Sequence, residues 1–331
     1  MEKIPDRWQT FDLVEAFQLA QAVVALHDLG VLEILGQPST AEELAAKRKL
    51  DPDLLRGTLE FVAARTNLLR KSAAERFVVT RNYAAESRFL LNLYVGAYGG
   101  NAVELKKLLS NPSSAPAMVD RAHYAQAFAA FDGSALGILP EIIRQLGFEQ
   151  MLDIGCGNGE LLLALARKDS KFIGWGIDIN RAMLRVAQDR IRRSHLEKRL
   201  LLFEGDCRNL KAALPARVRA NIRSLAACNV ANEMFHDGQR HCIKWLQQLR
   251  KLFPERPLLI LDYYGQLGKK SRRGPMERKT LLHDYAQLIS GQGIPPSNAR
   301  EWRAIYSRAG CRLVHIIEDN TTTRFIHLLR P

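Results

Sequence analysis

The sequence is poor in the residue patterns that mark secreted, zinc-binding and membrane proteins. Its five cysteines lie singly among 331 residues, and no two have the CxxC spacing of a thiolate zinc site. An odd number of isolated cysteines also argues against a disulfide framework, so the reducing cytoplasm is the predicted location. No apolar run reaches the roughly 18 residues of a membrane-spanning helix, and the first residues lack the apolar core of a signal peptide.

Acidic residues are the scarcer charged class, with 35 Asp and Glu against 48 Lys and Arg and a net charge of +13. Such an excess can indicate nucleic acid, a membrane surface or an acidic substrate as the partner. One basic concentration, 181–199, has apolar residues at helical spacing and is predicted to be the solvated face of an amphipathic helix. The second, Gly268–Lys279, contains Gly and Pro and is predicted to be a loop covering an anionic substrate. Because no nucleic-acid motif is present, nucleic acid is not the predicted partner.

Apolar residues make up 47% of the chain, which is typical of a globular protein, and the length fits about two domains. The first part predicts helices over 11–29, 40–46 and 52–64, followed by a hairpin within 68–80. These are the parts of a winged helix, which in front of an enzyme domain can serve for dimerisation and for covering the substrate. The predicted organisation is a helical winged-helix-like dimerisation domain over 1–110, a helical linker over 111–148 and a catalytic domain over 149–331.

Strands and helices alternate through the rest of the chain. Short apolar segments predict strands at 151–154, 172–177, 200–203, 222–228 and 257–263, and a closing hairpin at 311–317 and 322–329. Alternating strands and helices with short connections are typical of an α/β fold with a doubly wound, mostly parallel sheet.

A glycine-rich turn follows the first of these strands and precedes a helix. It reads Asp153-Ile-Gly155-Cys-Gly157-Asn-Gly159. Glycines allow a sharp turn and let a ligand approach the main chain closely. The spacing is not the G-x-G-x-x-G of dinucleotide sites, and a diphosphate would be repelled by the carboxylate of Asp153. A cationic amino-acid group would be attracted to it.

Two further acidic residues follow the next two predicted strands. Asp178 is placed to accept both hydroxyls of a ribose, and Asp206 is placed to contact an adenine. Each Asp taken alone could equally cap a helix. Three acidic residues at successive strand ends, with no Lys or Arg in the glycine turn, indicate a nucleoside without phosphates, and S-adenosylmethionine fits.

The segment of about 150–265, which contains these residues, resembles the class I S-adenosylmethionine-dependent methyltransferases. The resemblance implies that Asp153 and the Gly155–Gly159 turn hold the methionine part of the cofactor. It further implies that Asp178 binds the ribose and that Asp206 and its neighbours frame the adenine. The remaining predicted cofactor-binding residues are Ile179, Cys207 and Asn229.

A longer resemblance, to winged-helix small-molecule O-methyltransferases, rests on two short motifs. His236-Asp237-Gly238 is similar to their H-D-W, with Gly in place of Trp, and Glu301-Trp302 with Ala309-Gly310 is similar to their E-W-x-x-L-x-x-A-G-F. In that family the histidine is the general base, a role that suits imidazole acting on a phenol or an enol. His236 is therefore the predicted base, and Asp237 is expected to orient it or to cap the following helix.

A second His-Asp pair, His283-Asp284, leaves an alternative open. If it lay beside His236 and Asp237, two imidazoles and a carboxylate could hold a divalent metal. This would resemble the related 2-oxo acid C-methyltransferases, in which a metal stabilises the enolate. The predicted catalytic set is thus His236, Asp237 and His283, and these three are also the metal ligands of the alternative only.

The predicted function is therefore S-adenosylmethionine-dependent methylation of a small-molecule acceptor, with O-methylation favoured. A winged-helix regulator that retains a cofactor fold is the alternative of another class. The predicted assembly is a homodimer, because the first helix has more apolar surface than one short domain can cover.

Overall fold

The computed structural model describes residues 8–129, 137–269, 275–319 and 322–331, and the side chains of all of these except 275–277. The chain folds into two compact units, Met1–Gly99 and Gly100–Pro331. Within the described ranges no helix is both long and apolar enough to span a membrane. The predicted linker over 111–148 lies in the second unit, and the predicted domain boundaries stay a prediction.

The first unit contains the predicted helices and hairpin. Its elements are α1 Thr10–Asp28, α2 Val31–Ile34, α3 Ala41–Arg48, α4 Pro52–Arg65, β1 Leu69–Lys71, β2 Phe77–Val79 and α5 Ala85–Leu90, which continues as a π-helical stretch, Leu91–Ala97. At the start of α3, Glu43 N–H donates to Thr40 Oγ1 at 3.2 Å, and Thr40 N–H donates to Glu43 Oε2 at 3.0 Å. This capping box satisfies two amides that the helix leaves unpaired. β1 and β2 pair antiparallel, which confirms the hairpin.

The second unit begins with helices and continues with the alternating strands and helices. Its helices are α6 Gly99–Val103, α7 Leu105–Ser110, α8 Arg121–Ala129, α9 Leu139–Gln145, α10 Glu160–Lys168, α11 Arg181–Arg193, α12 Leu210–Ala213, α13 Ala216–Asn221, α14 Gln239–Leu252, α15 Pro275–Ile289 and α16 Ala299–Arg308. Its strands are β3 Gln150–Ile154, β4 Ile173–Asp178, β5 Leu200–Glu204, β6 Ser224–Cys228, β7 His236–Gly238, β8 Leu258–Tyr263, β9 Arg312–Glu318 and β10 Arg324–Arg330.

Seven of these strands form one sheet in the order β5-β4-β3-β6-β8-β10-β9. The first five are parallel, and β10 runs antiparallel to both β8 and β9. The predicted mostly parallel, doubly wound α/β sheet is confirmed. Because the chain turns in opposite directions on either side of β3, a crevice is expected at the carboxyl ends of the central strands, where such sheets bind ligands.

The predicted loop over Gly268–Lys279 is wrong in its second part. The chain is helical from Pro275 onward, in α15. Proline lacks an amide hydrogen and has a helical φ, so it is tolerated in the first turn of a helix, where that hydrogen has no partner. Residues 270–274 lie outside the described residues, as do residues 320–321 between the two strands of the predicted closing hairpin.

Candidate active site

The glycine turn lies between β3 and α10, and its three glycines all have positive φ. The φ angles are +68° at Gly155, +53° at Gly157 and +75° at Gly159, in the left-handed region that side chains disfavour. A Cβ atom at Gly155 would lie 2.4 Å from Val230 Cγ2. The turn therefore needs glycine for its backbone conformation and, at Gly155, for its packing.

Asp178, at the end of β4, holds this turn in place. Its Oδ2 accepts the Gly157 N–H at 2.8 Å, and its Oδ1 accepts the Asn180 N–H at 2.7 Å. A carboxylate offers about four acceptor positions, so about two remain for the hydroxyls of a ligand. Burial raises the pKa of Asp178, and the two backbone N–H groups oppose that rise.

Asp153 is a buried carboxyl group near the end of β3. It is 3% exposed, and burial raises its pKa to about 8, with the neighbouring charge of Asp178 adding to the rise. No ion pair or hydrogen bond within the described part of the chain lowers that pKa. A cation arriving here would stabilise the ionised form, so the position suits a ligand ammonium group.

Asp206 is engaged by a neighbour in its own turn. Its Oδ1 accepts the Arg208 N–H at 2.8 Å, and Arg208 Nη2 lies 2.7 Å from its Oδ2. Burial alone would raise the pKa of Asp206, but the bonds from Arg208 lower it. The predicted adenine contact is therefore part of an Asp–Arg pair at the end of β5.

The other predicted cofactor residues surround the same edge of the sheet. Ile179 is 56% exposed, and Cys207 is half-buried, with its carbonyl accepting the Trp245 Nε1–H at 3.2 Å. Asn229 follows β6 with a φ of +53°, and its N–H donates to Leu261 O at 2.8 Å. A left-handed Asn at a strand end is uncommon and directs its exposed side chain to the carboxyl edge.

Helix α8 also contributes to the site, and no motif in the sequence indicates that it contacts the glycine turn. Asn158 Nδ2, in the glycine turn, donates to Phe128 O at 3.0 Å, and Asn180 Nδ2 donates to Arg121 O at 3.2 Å. Burial raises the pKa of Glu233 to about 7, and the charge of Arg121 opposes this rise. The first turn of α8 thus places a positive charge among the carboxyl groups of the site.

The predicted base lies in an exposed segment that follows β6 along the chain. His236 and Asp237 are exposed in β7, and the His236 ring centroid lies 4.2 Å from that of His241. The loop after α15 packs against this segment: Gln292 O accepts the Phe235 N–H at 3.1 Å, and a Cβ at Gly293 would lie 2.2 Å from Phe235 O. The segment that contains Gly291–Gly293 therefore packs against the segment of the predicted base.

The two His-Asp pairs do not form a ligand cluster. Asp284 is fully buried and accepts the Tyr263 O–H at 2.9 Å and the backbone N–H of Leu267 at 2.8 Å. The His283 ring lies edge-on to Tyr263, with centroids 5.1 Å apart, and burial lowers its pKa to about 4. Among the described residues, no group of three or more His, Cys, Asp and Glu side chains is placed to hold a metal ion.

Comparison with known proteins supports the assignment of the sheet unit. Residues 151–248 match a family described as a methyltransferase domain. Methyltransferase ungE' of Aspergillus campestris is 26% identical over 181 residues, which are 52% of this chain and 51% of that protein. The chain thus spans about half the length of this curated relative.

Solved structures resemble nearly the whole chain. The mitomycin 7-O-methyltransferase MmcR has a TM-score of 0.75 at 17% identity, covering 97% of this chain and 96% of its own. TnmH has a TM-score of 0.74 at 16% identity, and the match covers 99% of both chains. NcsB1 is an O-methyltransferase of neocarzinostatin biosynthesis that was solved with S-adenosylmethionine and a naphthoic acid. It has a TM-score of 0.69 at 17% identity, and the match covers 95% of this chain and 96% of its own. The predicted class I methyltransferase fold, with its methyltransferase domain, is confirmed.

Proposed function

We propose that this protein is an S-adenosylmethionine-dependent methyltransferase that acts on a hydroxyl group of a small molecule. The observation that carries the proposal is the set of acidic residues at the ends of β3, β4 and β5 around a glycine turn without cations. The matched methyltransferase domain supports the reaction class. The structural neighbours whose names specify O-methyltransferases support oxygen as the acceptor atom.

The residues present fit the cofactor. The uncompensated carboxyl group of Asp153 suits the methionine ammonium, and the remaining acceptor positions of Asp178 suit the ribose hydroxyls. Asp206, Cys207 and Ile179 are proposed to frame the adenine, and Asn229 to lie at the methionine end. When bound, S-adenosylmethionine supplies an activated methyl group on a sulfonium, which is a good leaving group.

The chain's own task in such a reaction is alignment and proton removal. A positioned nucleophile gains most of its rate from being held in line with the methyl group. His236 is proposed to accept the acceptor's hydroxyl proton, and its exposed ring allows it to release that proton to water. Asp237, which is adjacent in β7, is proposed to orient the imidazole. His283 is proposed to lie beside the bound acceptor.

Assembly and location are further proposals. Four apolar side chains on α1 are more than half exposed, namely Phe11, Leu13, Val14 and Phe17. A continuous apolar stripe of this kind usually marks an interface, so we propose that α1 pairs with a second copy of the chain. All five cysteines are free of disulfides, which supports the cytoplasm as the proposed compartment.

The test is direct measurement of cofactor binding and methyl transfer. Calorimetry should detect S-adenosylmethionine and S-adenosylhomocysteine binding. Mass spectrometry should detect a mass gain of about 14 Da on hydroxylated aromatic acceptors, because a methyl group replaces the hydroxyl hydrogen. The His236→Gln variant is the matched control, because it should bind the cofactor and transfer little. A wild-type protein that binds neither nucleoside would overturn the proposal.

A further inference from the structure

The start of β10 places a guanidinium group at the carboxyl edge of the sheet, next to the end of β6. Arg324 is in antiparallel register with Tyr263, the last residue of β8. Its Nη2 donates to Asn229 Oδ1 at 3.0 Å. Its backbone is fixed on both sides, because its N–H donates to Thr322 Oγ1 at 3.1 Å and its carbonyl accepts the Asp319 N–H at 3.0 Å. The fold therefore sets the position of the Arg324 backbone, and the bond to Asn229 orients its exposed guanidinium group.

Within the described ranges Arg324 makes no direct ion pair, although its charge acts on Asp262 and opposes the rise that burial causes in the pKa of that carboxyl group. No Asp or Glu oxygen among the described residues lies within 4.0 Å of its guanidinium nitrogens, and its side-chain bond is the one to Asn229. Two carboxyl groups on the neighbouring strands are engaged elsewhere: Asp262 accepts the N–H groups of Asn232 at 3.0 Å and of Tyr263 at 2.9 Å, and Glu318 accepts the Tyr264 O–H at 2.6 Å. The guanidinium N–H groups of Arg324 that do not bond to Asn229 therefore remain available for a ligand.

The nearby imidazole of His283 does not add a second positive charge to that of Arg324. Burial and the charge of Arg324 both lower the pKa of His283, to about 4, so its imidazole is neutral at physiological pH. Only one of the five guanidinium hydrogens of Arg324 is needed for the bond to Asn229. The rest of the planar fork can present two parallel N–H groups, the geometry that matches a carboxylate.

We propose that Arg324 binds a carboxylate of the methyl acceptor, so that the acceptor is a hydroxy acid rather than a neutral alcohol or phenol. This inference rests on the proposed function and names its substrate class. Because Arg324 bonds to Asn229, which lies at the proposed methionine end, a carboxylate held by its fork lies close to the methyl group to be transferred. Arg324 would thus select the acceptor and fix its orientation.

Calorimetry with paired ligands tests this assignment. Hydroxybenzoic and hydroxynaphthoic acids and the methyl esters of the same acids are titrated into the protein saturated with S-adenosylhomocysteine. Wild type should bind at least one acid about 10–100-fold more tightly than its ester, since a charge-assisted bond is lost in the ester. Arg324→Gln should abolish that preference while its amide keeps a donor for Asn229, and Arg324→Lys should retain part of it. Arg330→Gln, at the exposed far end of β10, is the matched control and should keep the full preference.

The outcomes separate this inference from the function on which it rests. Normal S-adenosylhomocysteine binding with no acid preferred over its ester in any pair would overturn the role of Arg324 alone. Equal weakening of acid and ester in Arg324→Gln would also overturn it, because that pattern indicates a structural role. Loss of nucleoside binding by the wild type would instead count against the proposed function. An unchanged melting temperature of Arg324→Gln shows that the loss of preference is not unfolding.

Discussion

The Asp178 carboxylate connects two turns, because it accepts the Gly157 N–H at 2.8 Å through one oxygen and the Asn180 N–H at 2.7 Å through the other. The glycine turn after β3 and the turn that starts α11 are therefore held by one side chain. Such a site is ordered before a ligand arrives, which reduces the entropy lost on binding.

Replacing Asp178 by Ala should weaken both the fold and the cofactor site. Two part-buried N–H groups lose their acceptor. The ribose loses its proposed partner, so affinity for S-adenosylmethionine should fall by about 1–3 kcal/mol. Calorimetry and urea unfolding measure the two effects separately. Asp189→Ala, an exposed residue on α11 that pairs with Arg192, is the control and should change neither. Unchanged affinity in Asp178→Ala would exclude the ribose assignment.

Replacing Gly157 by Ala should cost about 1–2 kcal/mol of stability, because its φ of +53° is disfavoured for any residue with a Cβ. The added Cβ would also lie 2.8 Å from Met183 Cε, a flexible tip that can move. Gly57→Ala is the opposite case, since this glycine lies inside α4 with nothing within 4 Å of the new Cβ. It should gain about 0.5–1 kcal/mol. The urea concentration at the midpoint of unfolding should therefore fall in Gly157→Ala and rise in Gly57→Ala.

The raised pKa of Asp153, about 8, predicts a pH-dependent affinity. Only the ionised carboxylate pairs with the methionine ammonium, so affinity should rise about tenfold per pH unit as pH increases from about 6 to about 7.5. For the unliganded protein the sign is opposite. The folded-state pKa is above the unfolded value, so the contribution of Asp153 to stability decreases as pH rises from about 4 to about 8. Asp153→Asn should remove both dependences, and a wild-type affinity that is flat with pH would contradict the assignment.

His236→Gln should reduce turnover about 10²–10⁴-fold and leave cofactor affinity intact, because proton removal is needed in the transition state and not for binding. His241→Gln is the control, since its ring lies beside that of His236 but is not the proposed base. Chelators should have little effect on the wild type. Inhibition by a chelator that added Fe(II) or Zn(II) reverses would instead favour the metal-assisted alternative.

A charged residue on the exposed apolar stripe of α1 should prevent dimerisation. Phe17, 54% exposed, becomes charged in Phe17→Glu, and desolvating that charge in an apolar interface is unfavourable. Light scattering should give twice the chain mass for the wild type at micromolar concentration and the chain mass for the variant. Leu54→Glu, on α4 and 74% exposed, is the control and should remain dimeric. A monomeric wild type would rule out the proposed pairing.

The sheet and its glycine turn were predictable because their signals are local. Apolar strand residues, glycines and a following helix lie within about ten residues around Gly157, and physical rules apply to each short segment directly. The start of α15 was missed for the same reason. Pro275 and the neighbouring glycine suggest a loop locally, although a proline is compatible with the first turn of a helix.

The rest of the candidate site comes from parts of the chain that only the fold brings together. Arg121 lies before the first strand of the sheet, and Arg324 lies in β10, the last strand along the chain. Neither residue belongs to a motif. The two His-Asp pairs show the opposite case. Their repetition in the sequence suggests one cluster in the fold, but the Asp284 carboxylate instead accepts hydrogen bonds from the Tyr263 hydroxyl and the Leu267 backbone N–H. Repetition of a residue pair does not indicate proximity when long segments separate the copies.

The order β8-β10-β9 has a consequence for solubility. β10 follows β9 along the chain but lies inside the sheet, and β9 is the edge strand beside β10 in the part of the chain that the structure describes. Until β10 is in place, β8 presents an unpaired edge whose Leu258, Leu259 and Ile260 are fully buried in the finished fold. Apolar strand edges of this kind template association with other chains. A substitution that loosens β10 would thus be recovered as aggregated protein, and during synthesis the sheet stays open at this edge until Arg330 has left the ribosome.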